Sequence, residues 1–384
     1  MSFINKYIKG DRVVWLVVLL LAILSVLAVY SSIVTLAYKY QGGDTLYYLF
    51  KHGVILVVGF ILMIIAHNLN YKYYSRISQI AIVLSIPLLA LTLMTGANIN
   101  DASRWLVIPV INQTFQTSDL AKLALIMYLA RILYKKQTDL NDFKSVFMYL
   151  MLPVLLVCGF IFPANFSTAA MLFTTSMIIM FIGRVPIKYI LSLIGILFGA
   201  LLLALTIASA KPDLLPRLAT WEKRIETFTQ GGDNDANYQA DQAKIAIATG
   251  GVVGKGPGGS TQRNFLPHPY SDFIYAIIIE EYGLIGGLFV IVLYLILFYR
   301  GVKIAQRAEK SFGTFLAVGL SFSLVFQAMI NMAVAVNLFP VTGQPLPLVS
   351  MGGTSIWFTC LAIGIILSVS RKSEPSNKNL NTVT

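Results

Sequence analysis

DFIYAIIIEEYGLIGGLFVIVLYLILFY, residues Asp272 to Tyr299, opens on an acid, carries Glu280 and Glu281, and then holds no charge until Arg300. A run of roughly 20 apolar residues can cross a bilayer core of about 30 Å as a helix. Runs of this kind recur through all 384 residues, which are 57% hydrophobic and 12% charged. Soluble domains average about 25% charged residues, so the polar surface of a soluble protein is missing. Closed β-barrels also span membranes, but they need short alternating strands, and these runs are continuous. The expected fold is an all-α polytopic membrane protein.

Working outward from that stretch, ten spans are predicted, at about 13–36, 53–67, 77–95, 120–134, 147–162, 166–182, 189–210, 273–299, 314–336 and 356–370. An even number puts both ends on one side. Alternate loops hold Lys6, Lys9 and Arg12; Lys72 and Arg76; Lys135, Lys136 and Lys144; Arg184 and Lys188; Arg300, Lys303, Arg307 and Lys310; and Arg371 and Lys372. The loops between them are poor in Lys and Arg, so both termini are expected in the cytoplasm. A long segment, 211–271, between spans seven and eight then lies outside. Residues 1–372 read as one membrane domain and 373–384 as a polar, disordered tail. No cleavage site follows the first apolar run, so it is expected to stay as a span.

The net charge of +12 sits in short loops, where it marks topology and anionic-lipid contact and not nucleic-acid binding. Cys158 and Cys360 both lie in apolar runs, which argues against a disulfide framework.

Four stretches carry candidate chemistry. Gly250-Gly-Val-Val-Gly-Lys-Gly256 invites a phosphate-loop reading but lacks the Gly-x4-Gly-Lys-Ser/Thr spacing. Its amides, with Lys255 and Arg263, could still cradle a pyrophosphate. His268 and Asp272 are potential metal ligands, yet His52 and His67 lie far away in the chain and no cluster forms. Asp272 stands at the mouth of its span; of Glu280 and Glu281, at least one must be paired inside the bundle. Lys122, about a turn inside the fourth span, is costly there unless it faces a cavity or a partner. It either neutralises Asp119, three residues earlier on the same helix face, or forms a cationic site for an anionic headgroup. Asn165 in Pro163-Ala-Asn165-Phe-Ser-Thr168 reads as the cap of the sixth span. Finally, three prolines and three glycines in Phe339–Ser355 forbid a regular helix. Irregular backbone near membrane depth must be buried or line a wet cavity, so this segment is expected to be a re-entrant wall.

Together these stretches resemble the RodA/FtsW/SpoVE, or SEDS, family over nearly the whole chain. The carriers are Arg104-Trp105, Phe115-Gln-Thr-Ser-Asp119-Leu-Ala-Lys122, Tyr238-Gln-Ala-Asp-Gln242, the Gly250–Gly256 stretch, Ser271-Asp-Phe-Ile274, Glu280-Glu281-Tyr-Gly283, Pro340-Val-Thr-Gly-Gln-Pro-Leu-Pro347 and Ser350-Met-Gly-Gly-Thr-Ser355. The chain departs from the usual family pattern in three places. It has Gln116-Thr-Ser-Asp119 for Gln-Pro-Ser-Glu, Ala164-Asn165-Phe-Ser-Thr168 for Pro-Asp-Phe-Gly-Thr, and Leu266-Pro267-His268 for Leu-Pro-Glu. The last two put in doubt any role for carboxylates at 165 and 268.

The resemblance implies a peptidoglycan glycosyltransferase in the bacterial inner membrane, working on the extracytoplasmic side. Its substrate would be lipid II, the undecaprenyl-pyrophosphate disaccharide-pentapeptide. Asp272 maps onto the catalytic aspartate, and Arg104, Lys122, Lys255, Ser350, Gly352 and Gly353 become substrate-binding candidates. Asp119, Glu280, Glu281 and Thr168 become supporting residues. The chemistry is coherent: pyrophosphate is a good leaving group, so one general base suffices where glycosidases need paired carboxylates. Apolar Tyr270, Phe273 and Ile274 would desolvate Asp272 and make it a better base.

The resemblance also implies a class B penicillin-binding protein (transpeptidase) and other divisome proteins as partners, and it allows a divalent cation, Mg or Mn. The Asp11-Arg12 start, Val29-Tyr-Ser-Ser32 and Phe115-Gln116 lean towards the division (FtsW-like) over the elongation (RodA-like) branch. Two other classes compete: a flippase for the same lipid, and a scaffold. Polar candidates gather at span ends, which favours surface chemistry over a midplane pathway.

Overall fold

A computed structural model describes residues 9–99, 102–108, 113–137, 139–210 and 235–373. The chain is mostly helical. The helices are α1 (Arg12–Ser32), α2 (Val34–Gln41), α3 (Thr45–Asn68), α4 (Tyr71–Thr95), α5 (Thr117–Lys135), α6 (Phe143–Ile161), α7 (Phe166–Ile182), α8 (Ile187–Ala210), α9 (Asp235–Gly250), α10 (Ile274–Arg307), α11 (Ser311–Ala335) and α12 (Gly353–Ser373). Every predicted apolar segment falls on a helix. Seven of them (α1, α3, α4, α6, α10, α11 and α12) are long and apolar enough to cross a membrane. α11 and α12 form the centre, with 67% and 78% of their apolar windows buried, whereas α4 reaches only 28%. On the rim, Ile80, Val83 and Leu84 of α4 and Leu16, Leu19 and Ile23 of α1 expose apolar surface that lipid would cover.

Caps explain several boundaries. The Asp11 carboxylate accepts from the amides of Val13 and Val14, Asp44 caps α3, and Asn70 caps α4. Asn165 caps α7 as expected, its Oδ1 accepting from Thr168 N at 3.2 Å.

The all-α expectation needs one correction. Residues between α4 and α5, read as a plain polar loop, form an antiparallel three-stranded sheet: β1 (Ala97–Ile99), β2 (Ala102–Ile108) and β3 (Gln113–Gln116). Trp105 pairs with Gln116 and Leu106 with Phe115. The aromatic and β-branched residues of Trp105-Leu-Val-Ile108 favour a pleated surface. Thr354 at the start of α12 ties the sheet to the bundle: its hydroxyl accepts from Gln116 N at 3.2 Å and donates to Thr114 O at 3.3 Å.

Two contacts bracket α1 against antiparallel α10. Arg300 donates to Asp11, through Nε at 2.7 Å, and Ser31 donates to Glu281. Asp11 and Ser31 are twenty residues apart, about 30 Å along a helix, which matches a bilayer core. The first two turns of α10, Ile274 to Glu280, therefore extend past the Ser31–Glu281 contact. Lys9, Arg12, Arg300, Arg307 and Arg371 lie at the Asp11 end of the bundle, and Asp272 at the other.

The segment before α10 also differs from a flexible loop. Residues 211–234, like the tail from 374, lie outside the described residues; from Asp235 onward the chain forms α9 and packs on α10.

Candidate active site

Asp272 lies one residue before the Phe273 that caps α10, in a turn set by Pro267 and Pro269. Three successive carbonyls of this turn are held by other elements. Met351 N donates to Tyr270 O at 2.9 Å, Ser350 Oγ to Ser271 O at 2.6 Å, and Asn331 Nδ2 to Asp272 O at 2.9 Å. Phe273 and Ile274 beneath are buried in the core. The Ser271 hydroxyl donates to Asp272 Oδ1 at 2.9 Å. The acid is thus half-exposed on a turn whose backbone cannot easily shift.

It faces a cavity of about 570 Å³, within the usual range for ligand pockets. Trp105 and Gln116 of the sheet line one side, Asn165 another, and Gly343, Gln344, Gly352, Gly353 and Ser355 a third. Asp272 is the one carboxylate among the described lining residues. His268 also lines it, with Nδ1 3.3 Å from the Tyr270 hydroxyl.

The third wall is the Pro/Gly segment, and it is re-entrant as expected. Residues 341–352 form no helix, yet Leu346, Leu348, Val349 and Ser350 are buried. Val349 O accepts from Ser25 Oγ at 2.9 Å, and Pro347 O from the Tyr294 hydroxyl at 2.5 Å. Ser25 lies six residues inside Ser31 on α1, so the segment dips about 9 Å into the bundle. Gln344 Nε2 donates to the Thr168 hydroxyl at 2.8 Å, fastening the wall to α7.

Lys122 is on α5, its side chain 19% exposed. Its Nζ donates to Gln327 Oε1 at 2.8 Å and lies 3.4 Å from Asp119 Oδ1. The first sequence reading, a pair with Asp119 on one helix face, therefore holds. The small pocket beside it shares Ser355 with the Asp272 cavity. Arg104 lies on β2 next to Trp105; its side chain, like Asp101, lies outside the described residues.

The structure does not bring the glycine-rich stretch to this cavity. α10 breaks at Gly283, where φ is 70° and ψ is −174°, a conformation open essentially to glycine. A break strands backbone groups on both sides. The glycine loop supplies their partners: Lys255 N and Gly256 N donate to Glu280 O and Glu281 O at 3.0 and 2.9 Å. Leu284 N donates back to Gly251 O at 3.0 Å, and Ile285 N to Val252 O at 3.3 Å. The approach is so close that a Cβ on Gly254 would fall 2.2 Å from Glu281 O.

Side chains complete this clasp. Lys255 Nζ donates to Glu280 Oε1 at 2.6 Å, and Glu280 also accepts from Ser260, Thr261 and Gln262. Glu281 accepts from Ser31, and Arg263 donates to Ser31 O at 3.1 Å. So Glu280 is paired with a cation and Glu281 is held by hydrogen bonds from Ser31 and Ser260, whereas a pyrophosphate cradle at Lys255 and Arg263 would compete with bonds already made. Of the other sequence candidates, Asp272, Gly352 and Gly353 share the cavity, Asp119 and Lys122 adjoin it, and Ser350 and Thr168 brace it. No group of three or more His, Cys, Asp or Glu able to hold a metal ion occurs among the described residues. Sequence reasoning missed Gln327, Asn331 and Gln344; the first two were detectable as carboxamides four apart in the apolar second half of a helix.

Comparison with known proteins follows this geometry. Residues 11–375 match the family model described as cell cycle protein, FtsW/RodA/SpoVE. The chain belongs to this family. A probable peptidoglycan glycosyltransferase FtsW of Geobacter metallireducens is 32% identical over 95% of this chain and 96% of its own length. The stage V sporulation protein E of Bacillus subtilis is 32% identical, covering 96% of this chain and 99% of its own. Among solved structures, a chain from work on coordinated polymerization and crosslinking by a peptidoglycan synthase complex superposes with TM-score 0.72 and 25% identity, over 95% of this chain and 98% of that one. Thermus thermophilus RodA shares the FtsW/RodA/SpoVE fold at TM-score 0.68, with 23% identity over 97% and 100% of the two chains.

Proposed function

We propose that this protein is a peptidoglycan glycosyltransferase that polymerises lipid II at the extracytoplasmic face of the cytoplasmic membrane, in septal wall synthesis. The observation that carries the reading is the cavity at one end of the bundle, with Asp272 on a braced turn at its wall. In this reading residues 1–372 form one ten-span domain with cytoplasmic termini, and basic residues at the Asp11 end support that orientation.

Asp272 accepts the proton of the acceptor sugar's hydroxyl as its oxygen attacks the anomeric carbon of the donor. The bond to the lipid pyrophosphate breaks, and the pyrophosphate leaves with the electron pair. Lys122 and Arg104 hold its charge. A general base of this kind contributes about 10²–10⁴ in rate. The partner is a class B penicillin-binding transpeptidase, consistent with the synthase complex that the fold matches.

The test is polymerisation of labelled lipid II by purified protein, with and without the transpeptidase. Asp272→Asn is expected to bind the precursor and make no glycan ladder; normal polymer from that variant overturns the assignment. A flippase would need substrate on the other leaflet, so polymer from precursor supplied only on the extracytoplasmic side also excludes that rival.

A further inference from the structure

Along α11, Gln327 and Asn331 lie one turn apart on one helix face, 5% and 1% exposed. Each bridges two other elements. Gln327 accepts from Lys122 Nζ at 2.8 Å and donates to Pro345 O at 2.9 Å. Asn331 donates to Gln344 O at 2.7 Å and to Asp272 O at 2.9 Å. The two carbonyls Gln344 and Pro345 are adjacent residues of the re-entrant wall. Lys122 and Asp272, which come from elements far apart in sequence, are therefore spaced by two carboxamides on one rigid helix.

We propose that Gln327 and Asn331 are positioning residues: a two-carboxamide ruler that fixes the distance between the cation holding the lipid pyrophosphate and the carboxylate that takes the acceptor's proton. The inference rests on the function proposed above. A carboxamide suits this task, since it donates and accepts at once and carries no charge to disturb either group. A misplacement of about 1 Å in such a site can cost on the order of 10²-fold in rate. Asn331 touches the residue of the base and Gln327 the cation, while both hold the wall, so their effects separate in part. Removing Asn331's donor lowers kcat and leaves precursor affinity intact, whereas removing Gln327 frees Lys122 and raises KM.

The experiment measures kcat and KM for lipid II, precursor binding and thermal unfolding for Asn331→Ala, Asn331→Leu, Gln327→Ala and the Gln327/Asn331 double variant. Asn331→Leu keeps the volume, removes the donor and adds no charge, so it serves if the alanine variant folds poorly. The expected result is a kcat lower by roughly tenfold or more for either Asn331 variant, measured well below melting, with affinity unchanged; the two carbonyls left without a donor also lower the melting temperature. Gln327→Ala should raise KM several-fold with less change in kcat. The double variant should fall short of the product of the two, because both act on one wall segment. If polymerisation falls only in step with melting temperature, or if Asn331→Leu works at the wild-type rate, the ruler is wrong while the proposed function stands. Wild-type protein that binds lipid II and makes no polymer overturns both.

Discussion

Two irregular segments flank Asp272, and they solve the same physical problem with opposite consequences. The clasp, Gly250 to Gln262, and the wall, Phe339 to Ser355, both place non-helical backbone against the bundle, where unpaired polar groups are costly. The clasp turns its amides and Lys255 onto the broken stretch of α10. The wall anchors its carbonyls on Ser25, Tyr294, Gln327 and Asn331 and leaves Gly352, Gly353 and Ser355 facing the cavity. Composition alone does not separate a brace from a binding surface. The destination of each amide and carbonyl does.

That contrast can be broken by substitution. The largest effect belongs to the acid they flank: Asp272→Asn should cut turnover by about 10²–10⁴ with melting unchanged. In the clasp, Gly283→Ala forces a side chain into φ +70° and puts a Cβ 2.1 Å from Val252 O. A loss of about 2–4 kcal/mol of stability is expected, read as thermal unfolding in detergent. Lys255→Met leaves Glu280 buried with its Ser260, Thr261 and Gln262 bonds but without its cation. It should cost about 1–3 kcal/mol in stability and leave lipid II affinity unchanged. Weaker precursor binding by folded Lys255→Met would instead return Lys255 to the substrate site. The smallest structural effect falls on the wall. A Cβ at Gly352 meets nothing nearer than Ser355 Cβ at 3.6 Å. Gly352→Ala should change stability by less than about 0.5 kcal/mol yet raise KM several-fold by narrowing the cavity. A melting loss like that of Gly283→Ala would make the wall a second brace.

Much of this was legible from residue order. Apolar runs located the helices, because only a continuous stretch can satisfy both lipid and backbone. Lys122 stood out by its cost, Asn165 as a cap, and Phe339–Ser355 by prolines and glycines that no helix accepts. The sheet at Ala97–Gln116 was harder, since short strands between polar residues resemble a loop until they pair. Lys255 was misplaced because a glycine-rich basic stretch has the same composition whether its amides meet a phosphate or a broken helix.

Asp272–Tyr299 itself divides along that line. Its chemistry was set by local order: an acid at the mouth, two glutamates, then an uncharged apolar length that must be a helix in lipid. Its working form was not. The break at Gly283, the clasp that fills it, and the three held carbonyls around Asp272 depend on Ser31, Lys255, Asn331 and Ser350. Ser31 and Glu281 are separated by 250 positions, and Ser350 and Ser271 by 79. A hydrogen bond is decided by a few tenths of an ångström between its two ends. When those ends lie so far apart in the chain, only the packed bundle brings them within reach.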